Sequence, residues 1–214
     1  MSPLLQSVLY LSVLTGTTSV AVAQLKHQSS SLRIFTLFLV VTLLAEVLAL
    51  YFDVRFHNNM PVYHFYAPVM LSILVVYFST QIESLKRFGL GYLFAGLGAV
   101  GAVLNARYLQ PLTEWNSNMV LLCGLCIIGM CLLYFRKLFL EKGGRSLLAN
   151  IHFWLTAILL LFWCATFFIW AVLQLLLLKG KFETLNTLYL VIWLVNMITY
   201  LAIAFAFLYF KPLK

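Results

Sequence analysis

Charge is what this chain has least of. Six acidic residues stand among 214, and charged residues of both signs make up 9%, against about 25% in a soluble domain. With 64% hydrophobic residues and a mean hydropathy of +1.00, a chain of this length cannot fold its apolar surface away from water. Lipid must be its solvent. Long polar stretches are missing too, so there is no room for a soluble catalytic or nucleic-acid-binding module. No internal repeat or low-complexity segment is present. The four cysteines all lie within apolar runs and give no extracellular disulfide framework. The net charge of +8 sits at the ends of apolar runs and not on one polar face. That pattern fits charges that set topology, and it removes nucleic acid as a partner.

What is present is a series of seven apolar runs, at 3–23, 33–53, 61–80, 88–107, 118–135, 150–178 and 186–210. Each reaches the ~18–20 residues that cross a hydrocarbon core of ~30 Å. The expectation is one domain over residues 1–214, an all-α integral membrane bundle of seven helices. Ala21-Val22-Ala23 has the small-residue look of a signal-peptidase site. No positive region precedes it, and Lys26 and Arg33 follow, so the first run reads as a retained span. Pro61 suits the first turn of the third span, and Pro68 is placed to kink it. Lys26, Arg33, Lys86, Arg87, Arg136, Lys137, Lys142, Arg145, Lys211 and Lys214 fall on one side of this topology; Arg55, Arg107, Lys179 and Lys181 fall on the other. The positive-inside rule then predicts an outside N-terminus and a cytoplasmic C-terminus.

The stretch Glu46-Val-Leu-Ala-Leu-Tyr51-Phe-Asp53-Val-Arg55-Phe-His57 and the Tyr63-His64-Phe-Tyr66 that follows hold most of the ionisable groups near any span. Such groups are costly in lipid, and are functional-site candidates by default. Glu46 lies ~20 Å along the second span, counting ~1.5 Å per residue. His64 is one turn into the third span, and Asn105 and Arg107 end the fourth. These depths predict one outward-opening polar pocket lined by Glu46, Tyr63, His64, Tyr66, Asn105 and Arg107, in which Glu46 is protonated or paired with His64 or Arg107. Asn196, near mid-depth in the seventh span with Thr199 and Tyr200 at helical spacing, predicts a clasp to a neighbouring helix. The alternative for all of these is a satisfied polar cluster that only fixes helix orientation.

The fourth span carries Gly91-Ala95-Ala99 and Gly98-Ala102, small residues spaced by four, which allow close helix approach inside the bundle or across a homodimer. Cys123-Gly-Leu-Cys126 has redox spacing, but no loop-borne second pair exists to pass electrons on, so these cysteines read as small apolar residues. A retinal protein would need a lysine within the last span, and 186–210 has none. No Pro-Gln pair and no parallel repeat support a sugar transporter. No cofactor, metal or catalytic residue is called for.

Several stretches together carry a resemblance. They are Asn58-Asn59-Met60-Pro61-Val62-Tyr63-His64-Phe65-Tyr66, Asn116-Ser117-Asn118, Tyr134-Phe135-Arg136-Lys137-Leu138-Phe139, His152-Phe153-Trp154 and Trp193-Leu-Val-Asn196-Met-Ile-Thr-Tyr200. In these the chain resembles small seven-transmembrane-helix proteins of Bacteroidota, often encoded beside sensor histidine kinases. It departs from that pattern at Asn150-Ile151, where a proline is expected. The resemblance implies a signalling context and no particular chemistry. The resulting expectation is a receptor-like or sensory protein of the bacterial cytoplasmic membrane. It would bind a small ligand in the outer pocket and relay to a partner such as a histidine kinase, with membrane lipid around it. An intramembrane lipid-modifying enzyme using Glu46 and His64 as acid and base, or an assembly protein, is the alternative.

Overall fold

The computed structural model describes residues 3–87, 89–140, 147–179 and 182–210. Among the described residues eight α-helices follow one another: α1 (Pro3–Ala23), α2 (Ser30–Phe56), α3 (Met60–Gln81), the short α4 (Glu83–Arg87), α5 (Leu90–Leu104), α6 (Ser117–Leu140), α7 (Ile151–Leu178) and α8 (Phe182–Tyr209). Seven of them are long and apolar enough to cross a membrane, α5 counting together with the π turn that extends it to Leu109. The protein is thus an all-helical, multi-pass bundle. Five of the basic residues that set the expected topology, Lys142, Arg145, Lys181, Lys211 and Lys214, lie outside the described residues.

Boundaries follow local chemistry. Ser29 caps α2 by accepting from the Leu32 amide at 3.4 Å, the arrangement in which a serine hydroxyl satisfies an orphan N–H. At its other end His57 takes up a left-handed conformation, φ 53°, and its N–H returns to the Asp53 carbonyl. Pro61 occupies the first turn of α3 as expected. The helix continues through Pro68, whose missing N–H costs one backbone bond. Several spans are longer than hydropathy suggested, α2 (Ser30–Phe56) at both ends of the expected 33–53 and two others at a charged end. α6 continues past Arg136 and Lys137 to Leu140, and α8 begins at Phe182, before Glu183. In both cases charged residues occupy a helix turn at the membrane surface, where long side chains reach water.

Neighbouring helices pack as a ring in the order α1, α2, α3, α6, α7, α8 and back to α1, and α5 lies outside the ring against α3. The main core joins Phe35 and Leu39 of α2, Leu71, Leu74, Tyr77 and Phe78 of α3, Ile127 and Cys131 of α6, Leu155 and Leu159 of α7 and Ile203 of α8. The outlying position of α5 is explained by its small residues. Gly91 and Gly98 are its buried positions, and Ala95, Ala102 and the buried Asn105 follow the same face. A Cβ on Gly91 would land on the Ser79 hydroxyl, and one on Gly98 would come within 3.0 Å of Leu71 Cδ2. Close backbone approach of this kind needs residues without bulk. Ala99 lies off that face and is exposed.

The bundle has two rims. Pro3, His57, the 105–117 connection and Lys179 mark the N-terminal rim. Gln24, α4, Asn150 and Tyr209 mark the C-terminal rim.

Candidate functional site

Antiparallel pairing of α2 with α3 sets Glu46 opposite Tyr63 and Thr42 opposite Tyr66, since Thr42 and Glu46 share one helical face. The Tyr63 hydroxyl donates to Glu46 Oε2 at 3.1 Å. Tyr66 Oη and Thr42 Oγ1 lie 2.8 Å apart. Tyr10 of α1 and Tyr200 of α8 lie close enough to interact with the same carboxyl group. The Tyr10 and Tyr200 rings are 5.9 Å apart and tilted by 58°. One carboxyl group thus gathers tyrosines from three other helices, in the half of the bundle nearer the N-terminal rim. Glu46 is half-buried, and Tyr200 is buried.

Aromatic rings cover this cluster on the rim side. The Tyr63 ring lies 6.4 Å from that of Trp115 in the connection between α5 and α6. Trp115 in turn stacks on Trp170 of α7, with centroids 5.1 Å apart and an interplanar angle of 20°. Leu173, Leu185 and Ile192 form a second small core beside them. Trp115 Nε1 is buried with no hydrogen-bond partner. Buried donors in this state are rare, and each calls for an explanation.

A second polar group occupies the N-terminal rim. The π turn Asn105–Leu109 ends α5 and draws Asn105 inward. Asn105 Nδ2 donates to Gln110 Oε1 at 3.2 Å and to Asn116 Oδ1 at 2.9 Å, and Asn118 Nδ2 donates to Asn105 Oδ1 at 3.0 Å. Gln110 Nε2 bonds Ser117 Oγ at 2.7 Å, and its Oε1 receives the Asn118 amide at 3.1 Å. His64, buried, uses Nε2 to bond the Glu114 carbonyl at 3.0 Å. The knot is neutral and, apart from the exposed Asn118, buried. It fastens the connection between α5 and α6 onto α3.

The six residues expected in one pocket are therefore divided between two places. Glu46, Tyr63 and Tyr66 lie together. Asn105 and His64 serve the rim connection, and Arg107 is exposed on the π turn. Glu46 is hydrogen-bonded by Tyr63 and forms no ion pair with Arg107 or His64. The reason is helical phase: His64 follows Tyr63 by one residue, and so by about 100° around α3, which aims it at the 110–116 connection and away from α2. Asn196 donates to the Ile192 carbonyl at 2.9 Å. Its own helix satisfies the amide, and the expected clasp to a neighbour is not formed. Tyr10, Thr42 and Tyr200 were not among the expected site residues. The available signal was that Tyr200 shares a helical stripe with Asn196 and Thr199.

Chemically, the Glu46 cluster offers a carboxyl acceptor among hydroxyls that rotate and exchange donor and acceptor roles, surrounded by ring faces that attract cations. Among the described residues no three His, Cys, Asp or Glu side chains gather as a metal site. The cysteines are free, and Cys123 Sγ makes a weak contact to the Ala67 carbonyl at 3.6 Å. No family model, curated protein or solved structure matches this chain.

Proposed function

We propose that this protein is a small receptor-like component of a bacterial cytoplasmic membrane, with its N-terminus outside, that binds a small polar ligand carrying a positive charge at the Glu46 cluster. The observation behind this reading is the gathering of Tyr10, Tyr63 and Tyr200 around one membrane-embedded carboxyl group, each from a different helix. An amine would meet a carboxyl acceptor, tyrosine hydroxyls and aromatic faces together, the combination that suits organic cations. A ligand that took over one hydroxyl's place on Glu46 would shift α1, α3 and α8 relative to α2. That shift is the signal we propose reaches a cytoplasmic or membrane partner, such as the sensor histidine kinase suggested by the family resemblance, through the C-terminal rim.

The test is a thermal-shift survey of the purified protein in detergent. The panel is choline, ethanolamine, putrescine, agmatine and tyramine, with glucose and acetate as uncharged and anionic controls. At a hundred times the dissociation constant, bound ligand stabilises the fold by about 2.7 kcal/mol, or roughly 5–10 °C in a chain of this size. At least one amine should shift the parent and fail to shift Glu46→Gln. A panel without effect, or equal shifts in both proteins, contradicts the reading.

A further inference from the structure

The C-terminal rim holds a cleft that the Glu46 cluster does not use. It opens between the start of α2, the end of α3, α4 and the start of α5, and has a volume of about 310 Å³. Its polar wall is Ser30, Ser79, Thr80 and Lys86, and its apolar wall is Val76, Leu85 and Tyr92. Two glycines shape it. Gly89, at φ 61°, turns the chain from α4 into α5, a backbone region that glycine enters without steric penalty. Gly91 lets α5 lie directly on the Ser79 hydroxyl.

We infer that this cleft binds a phosphate group, presented by the headgroup of an anionic phospholipid. Three features of the site carry the inference. First, its charge is of one sign. The Lys86 side chain is exposed and makes no hydrogen bond or ion pair with other described residues, and Ser30 opens the 27-residue α2, whose first turn directs N–H groups outward. The acidic residue of α4, Glu83, is exposed and lies outside the cleft lining. Second, the depth is right. The polar wall belongs to the last turn of α3, the first turn of α2 and the short α4 beyond them, the level at which a long apolar helix leaves the hydrocarbon. Tyr92, 77% exposed, stands where interfacial tyrosines anchor. Third, the walls divide as a phospholipid does, with the Ser30 hydroxyl and the Lys86 ammonium for the phosphate and Val76, Leu85 and Tyr92 for the glycerol and upper chains, while the Ser79 and Thr80 hydroxyls donate to the Val75 and Tyr77 carbonyls and only shape the wall. The volume lies at the small end of the ~300–1,000 Å³ range of ligand pockets, which suits a glycerophosphate group and leaves no space for a nucleoside triphosphate.

The experiment uses the full chain in uncharged detergent. Retention of phosphatidylglycerol and of phosphatidylcholine is measured by native mass spectrometry, and thermal shifts are measured with inorganic phosphate and with glycerol 3-phosphate. Phosphatidylglycerol should be retained and phosphatidylcholine lost. Lys86→Gln should weaken phosphatidylglycerol binding about fivefold, as expected for one basic residue against an anionic headgroup, while Arg136→Gln on the same rim leaves it unchanged. If inorganic phosphate or glycerol 3-phosphate stabilises the parent as strongly as the lipid does, and loses that effect in Lys86→Gln, the phosphate site stands and its source is a soluble phosphate. Equal retention of both lipids with no phosphate effect overturns the inference. So does an equal loss in Lys86→Gln and Arg136→Gln, which would mark rim charge in general and no defined site.

Discussion

Two polar groups lie in the same half of this bundle and are built on different plans. The Asn105 knot joins residues 105–118, close neighbours in the chain, through amides whose donors and acceptors are fixed. The Glu46 cluster joins Tyr10, Glu46, Tyr63 and Tyr200 from four helices, through hydroxyls that can rotate. A neutral network closed on itself rigidifies what it touches. An ionisable group shared among distant elements responds to their relative position. We take the first as a fastening of the α5–α6 connection and the second as the place where a ligand could act on several helices together.

The largest effect should come from breaking the knot. Asn105→Leu removes bonds to Gln110, Asn116 and Asn118 and leaves the buried Asn116 Oδ1 without its Asn105 donor. A cost of about 2–4 kcal/mol is expected, seen as a melting temperature lower by roughly 5–15 °C. A melting temperature within a degree of the parent would mean that water or lipid replaces the network freely. Gly98→Leu reaches the same knot indirectly. It drives a side chain into Leu71 and pushes α5, with Asn105, away from α3. Overpacking of this kind costs about 1–3 kcal/mol. Because α5 packs against α3 and outside the ring, ligand binding at Glu46 should survive the change.

Breaking the cluster should cost less stability. Tyr63→Phe deletes the hydroxyl 3.1 Å from Glu46 Oε2, worth about 1–2 kcal/mol for a bond to a carboxyl group. Tyr10→Phe should behave alike. A double-mutant cycle of the two should show coupling of about 0.5 kcal/mol or more, because both side chains interact with one carboxyl group. Strict additivity in thermal unfolding would separate Tyr10 from the cluster. The smallest effect on stability belongs to Glu46→Gln, which keeps shape and hydrogen bonding. Its change should stay below about 1 kcal/mol, with its consequence confined to ligand response.

The spans were legible in the sequence because lipid imposes length and apolarity on every one of them, and a helix satisfies its own backbone. The ends were less legible. Hydropathy stops at Arg136 and before Asn186, whereas the helices continue to Leu140 and begin at Phe182, since a helix does not need to end where the hydrocarbon does. Glu46, Tyr63 and Tyr66 stood out as a group because they fall within one helical hairpin, where register follows from the turn. Tyr10 and Tyr200 did not, since no periodicity reports which helices close a ring. Depth placed His64 beside Glu46, but phase around α3 separates them, and depth carries no information about phase. The small residues of α5 announced close packing without naming its partner, and the partner is α3.

The central claim is that cation recognition belongs to the Glu46 cluster and not to the rim knot. It is tested most directly by calorimetric titration of the panel amine with the largest thermal shift into Tyr10→Phe, Tyr63→Phe and Asn118→Ala. The account predicts affinity about tenfold weaker in the two tyrosine variants, the equivalent of one lost interaction of ~1.4 kcal/mol, and within twofold of the parent in Asn118→Ala. An equal loss in all three variants, or full affinity in both tyrosine variants, would contradict it.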